Sequence, residues 1–123
     1  MNENGLRMVG IAAAFLLVFG TGFYLTHFGR PYSVALLTVH KIVAAGILVF
    51  LGIIAYRASA LSVSVWLVVS LTVIAFVAMI ASGGVLSAIE SSPGIIMTVH
   101  KVGSYVTVLL AIAAFYLLFW RSA

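Results

Sequence analysis

Four long apolar runs follow one another along the chain, separated only by short polar stretches: Met8 to Thr26, Ser33 to Tyr56, Leu61 to Leu86 and Ile95 to Trp120. A hydrocarbon core of roughly 30 Å needs about 20 apolar residues at 1.5 Å per residue, so each run predicts one membrane-spanning helix. The breaks between them read "HFGRPYS", "RASALS" and "AIESSPG". They are short and rich in Gly, Pro and Ser, as tight turns between helices require. Helices joined so closely run antiparallel, and the expected fold is an all-α, integral membrane four-helix bundle. Nothing is left over for a second domain, so residues 1–123 are expected to form one transmembrane domain.

Composition leads to the same place. Hydrophobic residues make up 65% of the 123 and charged residues 7%, with a mean hydropathy of +1.33, far from the balance of a water-soluble domain. The first run follows Arg7, as a signal core would, yet it continues through "FGTGFYLT" without a small-residue cleavage site before a polar region, and it is expected to stay as a span. The absence of cysteine excludes disulfides, thiolate metal sites and covalent haem attachment. Arg7, Arg57 and Arg121 fall at the amino terminus, the second turn and the carboxyl terminus, which share one side if there are four spans. The positive-inside rule makes that side cytoplasmic, with the chain in the cytoplasmic (inner) membrane. The formal net charge of +4 then serves topology and headgroup contact, since no basic stripe on a soluble surface points to nucleic acid. Tyr24, Tyr32, Tyr56, Tyr116, Trp66 and Trp120 fall near the ends of runs, where interfacial aromatics belong.

One tetrapeptide, TVHK, occurs twice, as Thr38 to Lys41 and Thr98 to Lys101, an offset of 60. At the same offset Leu36 meets Ile96, Leu37 meets Met97, Ile42 meets Val102 and Tyr56 meets Tyr116. The second helical hairpin reads as a copy of the first, with repeat units of about 8–57 and 61–120. His40 and His100 are thereby expected at one depth in parallel repeats, roughly 10 Å along their helices. Counting back from each turn, the residue level with His40 is Gly22, and those level with His100 are Gly83 and Gly84. Glycine opposite each histidine leaves room for something flat or bulky.

Polar groups at membrane depth are costly and are usually placed where they work. One reading makes each histidine a hydrogen-bonding contact between helices, worth about 1 kcal/mol. The symmetric pair, with glycine opposite each member, favours a bound cofactor instead. Neutral imidazole is an axial ligand of haem iron, and one from each half would give a bis-histidine, non-covalent haem b site. The second ring nitrogen is expected to donate to a carbonyl one turn earlier, near Leu36 or Ile96, or to Thr38 or Thr98. Lys41 and Lys101 either snorkel to the headgroups or pair with haem propionates, a role for which Arg30 and His27 also qualify. Zinc or copper would need further ligands, and only His27 and Glu90 are at hand, both nearer the turns.

With paired histidines, opposing glycines and adjacent basic residues, the chain resembles small four-helix membrane cytochromes b of the broad cytochrome b561-like type. Members of that group commonly hold two haems on four histidines, whereas the inner half of this chain has none. The resemblance implies a single haem toward the outer face, exchanging electrons between the quinone pool and a redox partner or a larger membrane complex. Two other readings stand beside it. One is a non-redox structural subunit of a larger complex, with the histidines in helix contacts or binding a chlorophyll-type pigment. The other is a small transporter, disfavoured because the spans lack helix breaks and acidic residues.

Overall fold

A computed structural model describes residues 1–121. Four α-helices follow in order: α1 (Glu3–Phe28), α2 (Val34–Arg57), α3 (Val63–Ala88) and α4 (Gly94–Tyr116), the last running into a π-helical segment, Leu117–Arg121. Each is long and apolar enough to cross a bilayer. The fold is all-α, built from transmembrane helices, and contains no strand among the described residues.

Local chemistry sets the helix ends. The Asn2 side chain accepts a hydrogen bond from the Gly5 N–H at 2.8 Å, and Glu3 pairs with Arg7 one turn on. Together they start α1 five residues before the apolar run begins. Hydropathy alone missed that turn, because a capping amide and an ion pair satisfy a helix end that lies outside the hydrocarbon. Gly29 stops α1: its φ of 66° is left-handed, and its N–H reaches back to the Leu25 carbonyl at 3.0 Å. Ser62 opens α3, accepting from the Val65 N–H at 3.4 Å. Pro93 precedes α4, where a missing N–H costs nothing. At the far end of α4, a single helix was expected to continue to Trp120. Instead the last turn widens into the π-helical segment, in which Leu118 and Phe119 are buried and Phe119 stacks on Phe115 at 5.8 Å.

The chain divides into two compact units, the first Met1–Ile53 and the second from Ile54 onward. In the first, α1 buries Ile11, Phe15, Thr21 and Leu25, and α2 buries Ile47 and Leu51. In the second, α3 buries Val65, Val69, Thr72, Phe76, Ser82 and Leu86. Its second helix adds Thr107, Ala111, Ala114 and Phe115.

The repeat is visible in these lists. From residue 31 to 50 and from 91 to 110 the sequence of buried, intermediate and exposed positions is the same, residue for residue. The first helices of the hairpins also correspond, but one residue out of step. Ile11, Phe15, Thr21 and Leu25 match Thr72, Phe76, Ser82 and Leu86 at an offset of 61, against 60 for the second helices. Leu16, Phe23, Ile42, Leu67, Ile74 and Leu109 project outward, as lipid-facing side chains do.

Candidate functional site

His40 lies in the second turn of α2, where its ring reaches across the hairpin to α1. Its Nδ1 is 2.9 Å from the Val18 carbonyl oxygen and 3.1 Å from Thr21 Oγ1. A carbonyl can only accept, so Nδ1 carries the proton and donates. Thr21 sends its own hydroxyl proton back along α1, to the Leu17 carbonyl at 2.7 Å or the Val18 carbonyl at 3.1 Å.

The second unit repeats this arrangement with one change. His100 Nδ1 lies 2.8 Å from Ser82 Oγ, and Ser82 donates to the Met79 carbonyl at 3.1 Å. The Ser82 hydroxyl is both donor and acceptor, and the tautomer of His100 sets which role it takes toward Nδ1. A neutral imidazole that donates from Nδ1, as His40 does to Val18, carries its lone pair on Nε2. Thr21 and Ser82 are both buried, and so removed from competing water.

The hydrogen bonds described at Nδ1 cross the hairpin to the preceding helix. Thr38 donates to the Val34 carbonyl at 2.7 Å and Thr98 to the Gly94 carbonyl at 3.3 Å, which occupies each hydroxyl within its own turn. The imidazoles turn instead toward the preceding helix, where Thr21 and Ser82 stand. Sequence reasoning passed over these two residues although each directly precedes the glycine it singled out, in "TG" and "SG".

Gly22 and Gly83 do face the histidines. A β-carbon on Gly22 would lie 2.9 Å from His40 Cε1, and one on Gly83 would lie 3.0 Å from His100 Cε1. The space they vacate is filled by the imidazole edges themselves. Gly84, expected level with His100 as well, has nothing within 4 Å of its β-position, so one glycine of the pair carries the contact. Gly103 lies about one turn beyond His100. There the Met79 sulfur comes within 2.8 Å of the β-position and fills it.

Lys41 and Lys101 are exposed, each following its histidine. Arg30 is exposed in the first turn, with its guanidinium carbon 4.9 Å above the Tyr32 ring. His27 closes α1 between aromatics, stacked on Phe23 at 5.8 Å and edge-on to Phe28 at 5.0 Å. Glu90 is exposed in the turn after α3. Among the described residues, no group of three or more His, Cys, Asp and Glu side chains comes together as a multidentate metal site.

A haem would ask for two imidazole nitrogens, not a cluster of that kind. The donor chemistry present fits that demand: two imidazoles, each oriented through Nδ1, whose neutral Nδ1–H form holds its ligating electrons on Nε2. No protein-family model, curated protein or solved structure matches the chain. The candidate site therefore stands on its own residues.

Proposed function

We propose that the protein is a membrane b-type haem protein that carries electrons, alone or as a subunit of an oxidoreductase complex. The observation that carries this reading is the duplicated hydrogen bond at Nδ1, to the Val18 carbonyl at His40 and with the Ser82 hydroxyl at His100. A histidine that only joins two helices can use either nitrogen. A hydrogen-bond partner at Nδ1 in both halves is what would orient the rings for ligation through Nε2.

On this reading His40 and His100 are the residues that would hold the haem iron, each through Nε2. When bound, a haem supplies one-electron chemistry at a potential set by its ligands and surroundings. The chain's own part is to orient and insulate. Val18, Thr21, Ser82 and the Met79 carbonyl hold the rings, and Gly22 and Gly83 let them sit flush against α1 and α3. Lys41, Lys101 and Arg30 supply positive charge for the propionates. The lipid-facing exterior keeps water from the site. A quinol docking nearby would pass its protons toward His27 or Glu90, the titratable side chains at the turns. The haem then lies toward the outer face of the inner membrane, with both termini cytoplasmic.

A structural-subunit reading draws on the other half of the same geometry. The glycine spaces are taken up by the imidazoles, as in a helix-packing contact, and hydrogen bonds of that kind in membranes are worth about 1 kcal/mol each. Absorption spectra of the detergent-purified protein, oxidised and dithionite-reduced, separate the two readings. A sharp low-spin b-type spectrum, lost or turned high-spin in both His40→Ala and His100→Ala, is expected. A folded protein that stays colourless when supplied with haem sinks the cytochrome reading and leaves the structural one.

A further inference from the structure

Where α3 begins and the π-helical segment closes the second unit, a cavity of about 190 Å³ is lined by Ala60, Ser62, Ser64, Val65, Leu117 and Arg121. All six belong to that unit, whose two helices pack on one another, so a single hairpin supplies every wall. One water needs about 10–15 Å³ on this scale, which leaves room for a much larger group. Both helices are long enough to cross a bilayer and each ends here, which puts the cavity at the level of the lipid headgroups. We infer that this cavity binds a phosphate group, held by Arg121 and the paired hydroxyls of Ser62 and Ser64. His100 lies toward the other end of α4, so the site owes nothing to haem binding.

Charge selects the ligand. A guanidinium is always protonated, and its planar fork of donors matches phosphate oxygens two at a time. The chain has only two side-chain carboxylates, Glu3 and Glu90. Glu3 pairs with Arg7 in the first unit, and Glu90 follows the far end of α3, roughly 40 Å from Ser62 along the 26 residues of that helix. Among the described residues, the second unit therefore gives Arg121 no carboxylate at this end. The hydroxyls add direction. Ser62 Oγ accepts from the Val65 N–H and lies 3.0 Å from Ser64 Oγ. The bond between the two serines uses one hydroxyl proton, and the other is left to donate to an anion. The backbone places the cation. In the π-helical segment Leu117 and Arg121 line the cavity while Leu118 and Phe119 are buried. Widened turns of this kind are frequent at functional sites, and basic pockets between spanning helices suit phosphate-bearing headgroups.

The test uses the full-length protein in detergent micelles, with bound lipid counted by native mass spectrometry. Phosphatidylglycerol is titrated in one arm and diacylglycerol with the same acyl chains in another. Phosphatidylglycerol is expected to be retained and diacylglycerol to be lost. Arg121→Gln should weaken retention by about tenfold or more, as loss of a charge-assisted hydrogen bond does. Ser64→Ala should weaken it by about threefold, and is chosen over Ser62, which also caps α3. Arg57→Gln removes a basic residue of the same unit that does not line the cavity, and should leave retention unchanged. Inorganic phosphate in a third arm separates the sources. Competition at concentrations near those of the lipid identifies free phosphate as the ligand of this site, and failure to compete identifies the headgroup. Equal losses in Arg121→Gln and Arg57→Gln would reveal unspecific attraction and overturn the site. Diacylglycerol held as well as phosphatidylglycerol, or a parent that retains neither lipid nor phosphate, would overturn it too.

Discussion

Gly20 and Gly22 are two residues apart on α1 and meet different surroundings. A methyl group on Gly20 would have nothing within 4 Å, whereas one on Gly22 would lie 2.9 Å from Cε1 and 3.4 Å from Nδ1 of His40. The ring cannot simply swing aside, because its Nδ1–H is held by Val18. Gly22→Ala should therefore destabilise the first unit by about 1–3 kcal/mol, the range for overfilling a packed site. Gly20→Ala should be neutral or stabilising by up to about 1 kcal/mol, through helix propensity. The second unit offers an internal control, with Gly83→Ala costly in the same direction and Gly84→Ala behaving like Gly20→Ala. Unfolding of the four variants in mixed detergent micelles would measure this, and equal costs within each pair would refute the assignment of contacts. At this scale the sequence led to the right glycines and to a different reason for them. Counting from the turns found Gly22 and Gly83, but not that the imidazoles fill the space themselves.

At the scale of elements, hydropathy located all four helices because a bilayer imposes one length and one composition. It was silent on the helix ends, which lie outside the hydrocarbon and depend on caps. The Asn2 cap on α1 is short, at 2.8 Å, and the Ser62 cap on α3 is long, at 3.4 Å. Asn2→Ala should consequently fray the first turn of α1 by about 1 kcal/mol, raising amide exchange at residues 5–7 about fivefold. Ser62→Ala should change exchange at the start of α3 by a smaller factor, and the reverse order would contradict this ranking of the caps. The hydroxyl partners of the histidines were hidden for a different physical reason. The second helices of the hairpins repeat at 60 and the buried faces of the first helices at 61, and one residue turns a helical position by about 100°. A constant offset of 60 therefore aligns Thr21 with Ala81 and Gly22 with Ser82, so the shared Thr-Gly and Ser-Gly steps never coincide. Only the buried positions of the folded hairpins bring them into correspondence.

For the molecule as a whole, the decisive property is the direction in which the chain crosses the bilayer, since it sets the face on which the histidines work. If the four helices cross the bilayer in succession, the turns at residues 29–33 and 89–93 fall on one side and the turn at 58–62 on the other. His40 and His100 lie six residues into α2 and α4, counted from Val34 and Gly94, so both are close to the side that carries the first and third turns. In the orientation proposed above, which rests on the basic residues, this side is the outer one. Arg7, Arg57 and Arg121 sit at the opposite ends of their helices, and basic residues flanking spans are retained on the cytoplasmic side. Lys41 and Lys101 pull the other way, but each lies within its helix and beside a histidine, where a local role explains it as well as topology does. The chain contains no cysteine, so single introduced thiols report without background. Ser33→Cys and Ser92→Cys should react with a membrane-impermeant maleimide added outside intact cells, and Ser59→Cys only after the membrane is opened. The opposite labelling pattern would put the histidines near the cytoplasmic face and their redox partner there too. Labelling of Ser33→Cys and Ser92→Cys from different sides would mean that the two hairpins do not repeat in parallel, and a single cofactor shared by His40 and His100 would then be geometrically excluded.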